Sequence, residues 1–319
     1  MRANNWASSL LENINNIGDE SASKLQKIIL PANNNDDNIY LKREDLIHPT
    51  ISGNKWRKLK YNLLEANDLG FKTLLTFGGA YSNHIYALAS ASKIFGLNSI
   101  GIIRGEQHLP LNPTLSYAKN NGMELHYTDR KKYRKKTEQF FIDELNQMFG
   151  DFYLIPEGGT NKLAVKGCTE IIDQIEIDFD YIVAACGTGG TISGLICGLE
   201  GKRNVIGIPV LKGAEFLNDD IADLTKSYSD QNYTNWSLNL NYHFGGYAKI
   251  TEELILFMNE FENTNDIKLD PIYTAKLLFG INSMILNSEI PKGSTIIVIH
   301  SGGLQGISGM QKRIDKLLS

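Results

Sequence analysis

Cysteine is scarce in this sequence of 319 residues, which contains three, and no two of them have the C-x-x-C spacing of a metal or redox pair. None of the three lies beside a group of histidines, so no metal site is expected. Cys186 ends an apolar run and Cys197 falls within a helical pattern. Both are predicted to be buried free thiols, which is typical of proteins in a reducing compartment.

Long apolar runs and a dominant sign of charge are also lacking. No window is apolar over the length of a membrane-spanning helix, and the polar start at residues 1–6 has no apolar signal core. The formal net charge is -4, which gives no electrostatic reason to expect nucleic acid or an anionic membrane as a partner. The basic run at residues 130–136 is predicted to be a solvated helix start. The sequence therefore predicts a cytoplasmic protein.

Short apolar, β-branched runs alternate with amphipathic helical stretches, which predicts an α/β fold with parallel strands joined by helices. The predicted strands are Ile39–Leu41, Thr73–Phe77, Ser99–Ile103, Glu124–Tyr127, Phe152–Ile155, Tyr181–Ala185, Val205–Ile208 and Thr295–His300. The predicted helices are Trp56–Asn67, Asn83–Phe95, Tyr133–Phe149, Lys162–Ile175, Ile192–Leu199, Thr251–Glu262, Thr274–Leu286 and Leu304–Leu317. An Asn/Asp-rich turn is predicted at residues 33–37. The length exceeds that of one usual core, which leaves room for a cleft between domains.

Three glycine-rich segments follow predicted strands, at residues 77–84, 185–191 and 300–303. The carboxyl ends of parallel strands face the crevice in which open sheets bind their ligands. We therefore expect the three segments to meet at one site.

The segment between Gly187 and Thr191 is predicted to bind an anion. It follows an apolar strand and precedes an apolar helix, so its backbone N–H groups can converge at a helix N-terminus. Gly187, Gly189 and Gly190 permit positive φ and leave space for a phosphate. Thr188 and Thr191 add hydroxyl donors, and an ordinary tight turn is the alternative interpretation.

A dinucleotide is not the expected ligand of this loop. The third glycine of the dinucleotide fingerprint is replaced by Ile192, and the following strand ends at residues 206–209 without a carboxylate for a ribose. The Gly-Lys-Ser/Thr ending of a nucleotide-binding P-loop is also missing. A monophosphate fits better, either a phosphorylated sugar or a phosphorylated cofactor.

Lys55 is the candidate for amine chemistry. It follows Ser52-Gly53-Asn54 and opens a helical pattern, so it can point into a crevice while Arg57, Lys58 and Lys60 remain solvated. Amine catalysis requires a neutral lysine, whose pKa falls when burial disfavours the charged form. The alternative is one more surface lysine in a basic helix start.

Several motifs occur in a fixed order along nearly the whole chain. They are Tyr40–Leu46, Ser52–Lys55, Arg57–Leu59, Gly78–Gly79, Ser82–His84, Gly245–Tyr247, Asp270–Thr274 and His300–Gly303. Together they resemble the family of D-cysteine desulfhydrases and 1-aminocyclopropane-1-carboxylate deaminases, which use pyridoxal 5'-phosphate. Several spaced motifs in one order are far more specific than any one of them.

The resemblance implies a fold and a domain organisation. The fold is tryptophan synthase β-like, fold type II of the pyridoxal-phosphate enzymes, with two open-sheet, three-layer α/β domains of largely parallel strands. A larger cofactor-binding domain would comprise residues 1–48 and 157–319, and a smaller domain, residues 49–156, would be inserted between them. The resemblance also implies a homodimer and a cofactor held in the cleft.

The resemblance assigns roles to the residues of the predicted site. Lys55 would carry the cofactor as a Schiff base. The other cofactor-binding residues would be Asn54, Asn83 at the ring hydroxyl, Gly187, Thr188, Gly189, Gly190, Thr191, and Ser301 at the ring nitrogen. The residues facing a small amino-acid substrate would be Ser82, Asn83, His84, Tyr247 and Tyr273. Proton transfer would fall to Lys55, Ser82 and the two tyrosines.

Two positions favour one chemistry within the resembled family. Its ring-opening deaminases typically have Glu after the second tyrosine and Leu before the last glycine pair, whereas this chain has Thr274 and Ser301. The sequence therefore predicts α,β-elimination from D-cysteine or a related small D-amino acid, giving pyruvate, ammonia and sulfide. Tyr81 replaces the Gln common in these enzymes before the Ser-Asn pair, and its size could narrow the pocket.

Three alternatives remain open from the sequence. The first is 1-aminocyclopropane-1-carboxylate deamination, which gives 2-oxobutanoate and ammonia. The second is a racemase or another small amino-acid lyase. The third is a protein without catalytic activity that binds a phosphorylated ligand through the Gly187 loop alone.

Overall fold

The structure, a computed structural model, describes Ile14, residues 17–32 and residues 38–319. The polar start at residues 1–6 and the predicted turn at residues 33–37 lie outside the described residues. The strands within them are β1 Leu25–Lys27, β2 Asn38–Lys42, β3 Thr73–Gly78, β4 Asn98–Arg104, β5 Met123–Thr128, β6 Tyr153–Ile155, β7 Tyr181–Cys186, β8 Asn204–Pro209, β9 Trp236–Leu238 and β10 Thr295–Ile299.

The strands form two sheets. One has the order β1-β2-β10-β7-β8-β9 and is parallel except for β1, which pairs antiparallel with β2. The other has the order β5-β4-β3-β6 and is parallel throughout. The central strands are apolar on both faces because helices cover both sides, as parallel sheets require. The predicted α/β fold class is confirmed.

Eleven helices are found in the described part of the chain. They are α1 Asn54–Asp68, α2 Asn83–Ile94, α3 Pro113–Asn120, α4 Arg130–Tyr133, α5 Gln139–Phe149, α6 Lys162–Asp173, α7 Gly190–Leu199, α8 Leu217–Ser229, α9 Glu252–Asn265, α10 Thr274–Leu286 and α11 Ile307–Leu318. Short 3-10 turns occur at Glu20–Ala22, Glu44–Leu46, Glu157–Gly159, Leu240–Tyr242 and Leu304–Gly306. None of the described helices is long and apolar enough to cross a membrane.

The prediction of one helix over Tyr133–Phe149 is wrong in one respect. The segment forms two helices, α4 and α5, with a non-helical stretch between them. The break has a tertiary cause. The Tyr133 hydroxyl donates to a Glu157 carboxylate oxygen at 2.7 Å, and the Lys136 amine lies 3.2 Å from the other oxygen. These contacts hold the basic run against a loop at the sheet edge, which local helix propensity cannot anticipate.

The two sheets draw on different parts of the chain. The four-stranded sheet uses strands between residues 73 and 155, and the six-stranded sheet uses strands before and after that segment. The exact domain bounds inferred from the resemblance stay a prediction.

Close helix packing positions the two halves of the site. A Cβ on Gly167 of α6 would overlap the backbone carbonyl of Arg57 in α1, and a Cβ on Gly194 of α7 would overlap Cys168 of α6. Helices α1, α6 and α7 can therefore lie nearly in backbone contact. Because α1 begins at Asn54 and α7 at Gly190, this contact brings the predicted lysine next to the predicted phosphate loop. All three cysteines are buried free thiols, as predicted for Cys186 and Cys197.

Candidate functional site

A cavity of about 470 Å³ opens between the two sheets at the carboxyl ends of their strands. Every residue predicted for the site lines it: Asn54, Lys55, Ser82, Asn83, His84, Gly187, Thr188, Gly189, Gly190, Thr191, Tyr247, Tyr273 and Ser301. The structure thus brings together residues that are up to 247 positions apart in the sequence, from Asn54 to Ser301. Their location agrees with the rule for open parallel sheets, while their chemical roles stay predictions.

Lys55 is the second residue of α1 and faces the cavity. The helix starts at an unusual backbone angle, because Gly53 at the N-cap has φ +64° and ψ -142°. A Cβ there would overlap the carbonyl of Ser301, so only glycine lets the Lys55 turn pack directly on the segment after β10. Burial lowers the pKa of Lys55 to about 8. A substantial fraction of this amine is therefore neutral, and nucleophilic, slightly above neutral pH.

The start of α2 forms a second wall of the cavity. The Ser82 side chain caps this helix by accepting a hydrogen bond from the backbone N–H of Ile85 at 3.3 Å. Gly78, at the end of β3, lies beneath it, and a Cβ there would be 2.8 Å from the Ser82 oxygen. Ser82, Asn83 and His84, at the start of the helix, line the cavity, so the positive end of the helix dipole lies beside it, an arrangement that suits a carboxylate.

His84 is held in one tautomer by Thr76. The Thr76 hydroxyl donates its single proton to the carbonyl of Ile155 at 2.7 Å, so its 2.9 Å contact with Nε2 of His84 must use the N–H of the imidazole as donor. Burial, with further effects from Lys55 and Lys58, lowers the pKa of His84 well below its usual value. The ring is neutral, and its buried Nδ1 has no partner among the described residues. It is available to accept a hydrogen bond from a bound group.

The loop between β7 and α7 has the geometry of an anion site. Gly189 is left-handed, with φ +77°, and caps α7. The Thr188 hydroxyl lies 2.5 Å from that of Thr160, and the Thr191 hydroxyl accepts a hydrogen bond from Nδ2 of Asn54 at 2.8 Å. Asn54 thereby ties the start of the lysine helix to the loop, which supports its predicted place in the cofactor site.

Lys58 is a residue of the site that the sequence did not reveal. It was expected to be solvated, but it is fully buried and lines the cavity. Its amine donates to Thr160 at 2.8 Å and approaches Thr188 at 3.4 Å, directly over the loop. Burial, together with the charge of Lys55, lowers the pKa of Lys58 to about 7. The sequence did contain a signal for this position. Lys58 follows Lys55 by three residues, and residues three apart share a helix face, so a cavity that Lys55 faces is also within reach of Lys58.

Arg57 is likewise buried, against the expectation from the sequence. Its guanidinium lies 2.9 Å from a Glu44 oxygen and 2.5 Å from a Glu20 oxygen, and it also donates to Gln174 at 2.7 Å. Burial alone would lower the pKa of Arg57, but the carboxylates outweigh it and raise the pKa. The third expected solvated residue, Lys60, is mostly buried in ion pairs with Glu20 at 3.2 Å and with a further carboxylate. This ionic cluster anchors the lysine helix.

Tyr247 and Tyr273 form the remaining wall. Their rings meet edge to face, with centroids 6.2 Å apart. Burial raises the pKa of both, well above the usual value for Tyr273, so both hydroxyls keep their protons at neutral pH. They can donate protons or hydrogen bonds but cannot serve as ready bases.

Tyr81, the departure from the family pattern, leaves the cavity free. Its hydroxyphenyl ring lies against Gly309 of α11, where a Cβ would be 3.0 Å from the ring. Only its backbone carbonyl approaches the site, where it accepts a hydrogen bond from the Tyr247 hydroxyl at 3.3 Å. Tyr81 is not among the residues that line the cavity.

The hydroxyls of Thr274 and Ser301 differ in whether a ligand in the cavity can reach them. The Thr274 hydroxyl is buried, donates to a carboxylate oxygen of Asp270 at 2.7 Å and accepts from the Asp270 backbone N–H at 2.9 Å. It is committed to the start of α10 and does not line the cavity. Ser301 does line the cavity and is the hydroxyl that a ligand can reach.

The donors around the loop fit a phosphate that is joined to an amine-reactive ring. Lys58, the threonine hydroxyls and the N-terminus of α7 can each donate a hydrogen bond, which matches the acceptor oxygens of an ionised phosphate. A Cβ on Gly190 would be 2.9 Å from the Lys58 amine, so a side chain there would displace that amine. The buried Lys55 amine faces the same cavity. The residues present therefore suit pyridoxal phosphate, which needs both features.

Comparison with known proteins gives a consistent result. Residues 22–302 match the family described as pyridoxal-phosphate dependent enzyme. A Pyrococcus horikoshii protein with a provisional 1-aminocyclopropane-1-carboxylate deaminase name is 35% identical over 295 residues, which cover 88% of each chain. The Arabidopsis thaliana mitochondrial bifunctional D-cysteine desulfhydrase/1-aminocyclopropane-1-carboxylate deaminase is 30% identical over 313 residues, covering 91% of this chain and 77% of the plant one. A solved structure of an ACC deaminase homologue superimposes with a TM-score of 0.82 at 30% identity, covering 92% of this chain and 93% of the other.

Proposed function

The chain belongs to the pyridoxal-phosphate dependent enzyme family, and from that premise we propose that it eliminates the β-substituent of D-cysteine or a related small D-amino acid. The products are pyruvate, ammonia and, from D-cysteine, sulfide. One observation carries the proposal: the Lys55 amine, whose pKa burial lowers, faces the same cavity as the donor-rich loop at Gly187, and the Ser301 hydroxyl lines that cavity too.

Residues on both sides of the cleft hold the cofactor. Lys55 would bind it covalently, while Lys58, Thr188 and the N-terminus of α7 would hold its phosphate. Asn83 donates to the ring hydroxyl, and Asn54 steadies the loop through Thr191. When bound, pyridoxal phosphate supplies an electron sink for the bonds around the α-carbon of the substrate.

The start of α2 binds the substrate carboxylate. Ser82 and the free N–H groups of the first helical turn provide donors at the positive end of the helix dipole. The neutral Nδ1 of His84 accepts a hydrogen bond, so it suits an ammonium group or another donor of the substrate. These contacts fix the amino acid with its α-carbon toward Lys55.

Two kinds of side chain serve the α-proton and the leaving group: the Lys55 amine and the tyrosine hydroxyls. The Lys55 amine, whose pKa is lowered to about 8 by burial, is a base of suitable strength for the α-proton. Tyr247 and Tyr273 keep their protons, because burial raises their pKa values, and so can donate hydrogen bonds to a departing sulfide. A leaving thiolate needs such a donor in a water-poor cavity.

Ser301 supports elimination over ring opening. As a neutral hydroxyl placed at the ring nitrogen, it would leave that nitrogen largely unprotonated, whereas a carboxylate would keep it charged. Thr274, at the position where the deaminases typically have Glu, is uncharged and already bonded to Asp270. No carboxylate occupies that place in this chain.

Deamination of 1-aminocyclopropane-1-carboxylate is the second candidate. The names of the Pyrococcus and Arabidopsis relatives favour it, and the plant protein carries both activities in its name. The two candidates differ in product, since ring opening gives 2-oxobutanoate and ammonia without sulfide.

The test combines a spectrum with a product assay. Purified protein loaded with pyridoxal phosphate is expected to absorb visible light, and Lys55→Ala should lose this absorbance. D-Cysteine should then give pyruvate and sulfide at a kcat/KM at least tenfold above that for 2-oxobutanoate release from 1-aminocyclopropane-1-carboxylate, a difference of ~1.4 kcal/mol. Equal efficiencies would reject the preference for elimination. A protein that stays colourless with added cofactor would reject the proposal as a whole.

We also propose a quaternary structure, a cellular location and the bounds of the two domains. We infer a cytoplasmic homodimer whose larger domain comprises residues 1–48 and 157–319 and whose smaller domain comprises residues 49–156. Sedimentation at several protein concentrations tests the dimer. A single species with the mass of one chain at all concentrations would rule it out.

A further inference from the structure

Asn83 and Gln305 join the two sides of the cleft by one hydrogen bond. Nε2 of Gln305 donates to Oδ1 of Asn83 at 2.9 Å. Asn83 is the first residue of α2, which follows β3 of the four-stranded sheet, and Gln305 lies in the turn after β10 of the six-stranded sheet. The bond therefore couples a wall of the cavity to the opposite half of the molecule.

The orientation of the Asn83 amide matters because its two ends have opposite chemistry. Oδ1 can only accept a hydrogen bond, and Nδ2 can only donate. The amide torsion is nearly two-fold, so either end could face the cavity unless a neighbour decides. The Gln305 amide presents its donor to Oδ1, and this arrangement leaves Nδ2 for a ligand.

The surroundings favour the same orientation. A Cβ on Gly303 would lie 2.7 Å from Nδ2 of Asn83 and 3.4 Å from the carboxyl carbon of Asp270. Nδ2 is thus the end of the amide that lies against Gly303, and Oδ1 is the end that faces Gln305. Gly303 has φ +92°, and a side chain there would push the Asn83 amide away.

We propose that Gln305 is a positioning residue that fixes the amide of Asn83 so that Nδ2 donates to the ring oxygen of the cofactor. The inference rests on the proposed function, which places Asn83 at that oxygen. Gln305 itself acts only through Asn83 and does not line the cavity. Without it, Oδ1 can turn toward a negatively charged ring oxygen and repel it.

The pH dependence of the visible absorbance of cofactor-loaded protein tests the proposal. A donor at the ring oxygen stabilises its negative charge, so loss of the donor makes the bound cofactor hold a proton more tightly. Gln305→Met removes the donor without adding charge, and its titration midpoint should rise by about one pH unit, the size expected for a hydrogen bond to a charged oxygen. Gln311→Met is the matched control, because Gln311 donates to Asp315 on the exposed side of α11. It should titrate like the wild type.

A double-mutant comparison shows whether the effect passes through Asn83. In an Asn83→Ala background, Gln305→Met should leave the midpoint where Asn83→Ala alone puts it. Gln305→Glu is a second variant of nearly native shape; its carboxylate accepts only, so it should turn Nδ2 away and also raise the midpoint.

The outcomes separate this inference from the proposed function. A wild-type midpoint in both Gln305 variants, or a full shift that persists in the Asn83→Ala background, overturns the role of Gln305 while the enzyme assignment stands. A wild-type protein that gains no visible absorbance with pyridoxal phosphate overturns both.

Discussion

The amine of Lys58 lies 2.8 Å from the hydroxyl oxygen of Thr160, directly over the loop proposed to hold the cofactor phosphate. Burial and the nearby Lys55 lower the pKa of this amine to about 7. A phosphate dianion at the loop would favour the charged form and gain a charge-assisted hydrogen bond.

Lys58→Met is therefore expected to weaken binding of pyridoxal phosphate by about 10- to 100-fold, the effect of losing a hydrogen bond to a charged group. Stability should not suffer, since methionine fills similar space without a buried amine. Equilibrium titration of the visible absorbance measures the dissociation constant. Lys93→Met, on the exposed end of α2, is the control and should bind as the wild type does. Equal constants for Lys58→Met and the control would contradict the phosphate role.

The hydroxyl of Thr76 connects His84 to the backbone beneath the site. Thr76→Val keeps the shape but leaves the Ile155 carbonyl and the imidazole N–H of His84 without partners. The free energy of unfolding is expected to fall by about 2–6 kcal/mol, from two buried groups at ~1–3 kcal/mol each. Urea unfolding measures the change. A loss below about 0.5 kcal/mol would show that Thr76 does not fix the ring.

His84 also makes stability depend on pH. Its folded-state pKa is depressed by burial, so below the ordinary value of 6.5 the unfolded chain binds a proton that the folded protein does not. The free energy of unfolding should therefore fall as pH drops below that value, by up to ~1.36 kcal/mol per pH unit. His84→Gln keeps a donor for Thr76 but cannot be protonated. It should therefore reduce the dependence of the unfolding free energy on pH by the contribution of about one proton. Urea unfolding between about pH 5 and pH 7 tests it, and an unchanged slope would contradict a neutral His84.

The sequence predicted the parts of the site that are local in the chain. Lys55, Ser82 and the loop at Gly187 each follow a strand or start a helix, and strand ends of a parallel sheet meet at one edge. Their convergence could be inferred from periodicity and turn residues. The family resemblance added Tyr247 and Tyr273, which taken alone would be expected in the core or at a rim.

The remaining features depend on contacts between distant segments. Arg57 and Lys58 look like solvated charges because charge alone does not show that three carboxylates or a cavity lie opposite them. Gln305 gave no signal, since its partner Asn83 is 222 positions away. Helix α3 and the three-residue strands β1 and β9 were not predicted, because short segments form through packing more than through local preference. Helix α8 was also missed, although it has 13 residues and an amphipathic pattern.

Arg57 is expected to be essential for stability. Arg57→Met would leave Glu44, whose side chain is fully buried, without its cation, and unpaired buried charges typically cost about 3–5 kcal/mol. Guanidinium-induced unfolding measures the loss, and adding Glu44→Gln should restore part of it. Arg203→Met is the matched control because Arg203 pairs with Asp178 at an exposed surface, where ion pairs contribute ~0–1 kcal/mol. Similar losses for the two arginines would contradict the buried cluster.

Lys276 is expected to control substrate binding through the loop that carries Tyr247. Its buried amine donates to the carbonyls of His243 at 2.9 Å and Gly246 at 2.8 Å, and burial lowers its pKa to about 8. Lys276→Met would leave both carbonyls without this donor, so the loop should loosen and Tyr247 should lose its fixed place beside the cavity.

We expect KM for D-cysteine to rise by about tenfold, as for loss of ~1.4 kcal/mol of binding, with a smaller change in kcat. The visible absorbance of the cofactor should stay the same, since Lys276 contacts neither Lys55 nor the phosphate loop. Steady-state kinetics with Lys226→Met, an exposed lysine of α8, as control separates this effect from a general loss of charge. If kcat fell while KM stayed constant, the loop would act on the chemical step, and Tyr247 would be more important for proton transfer than for binding.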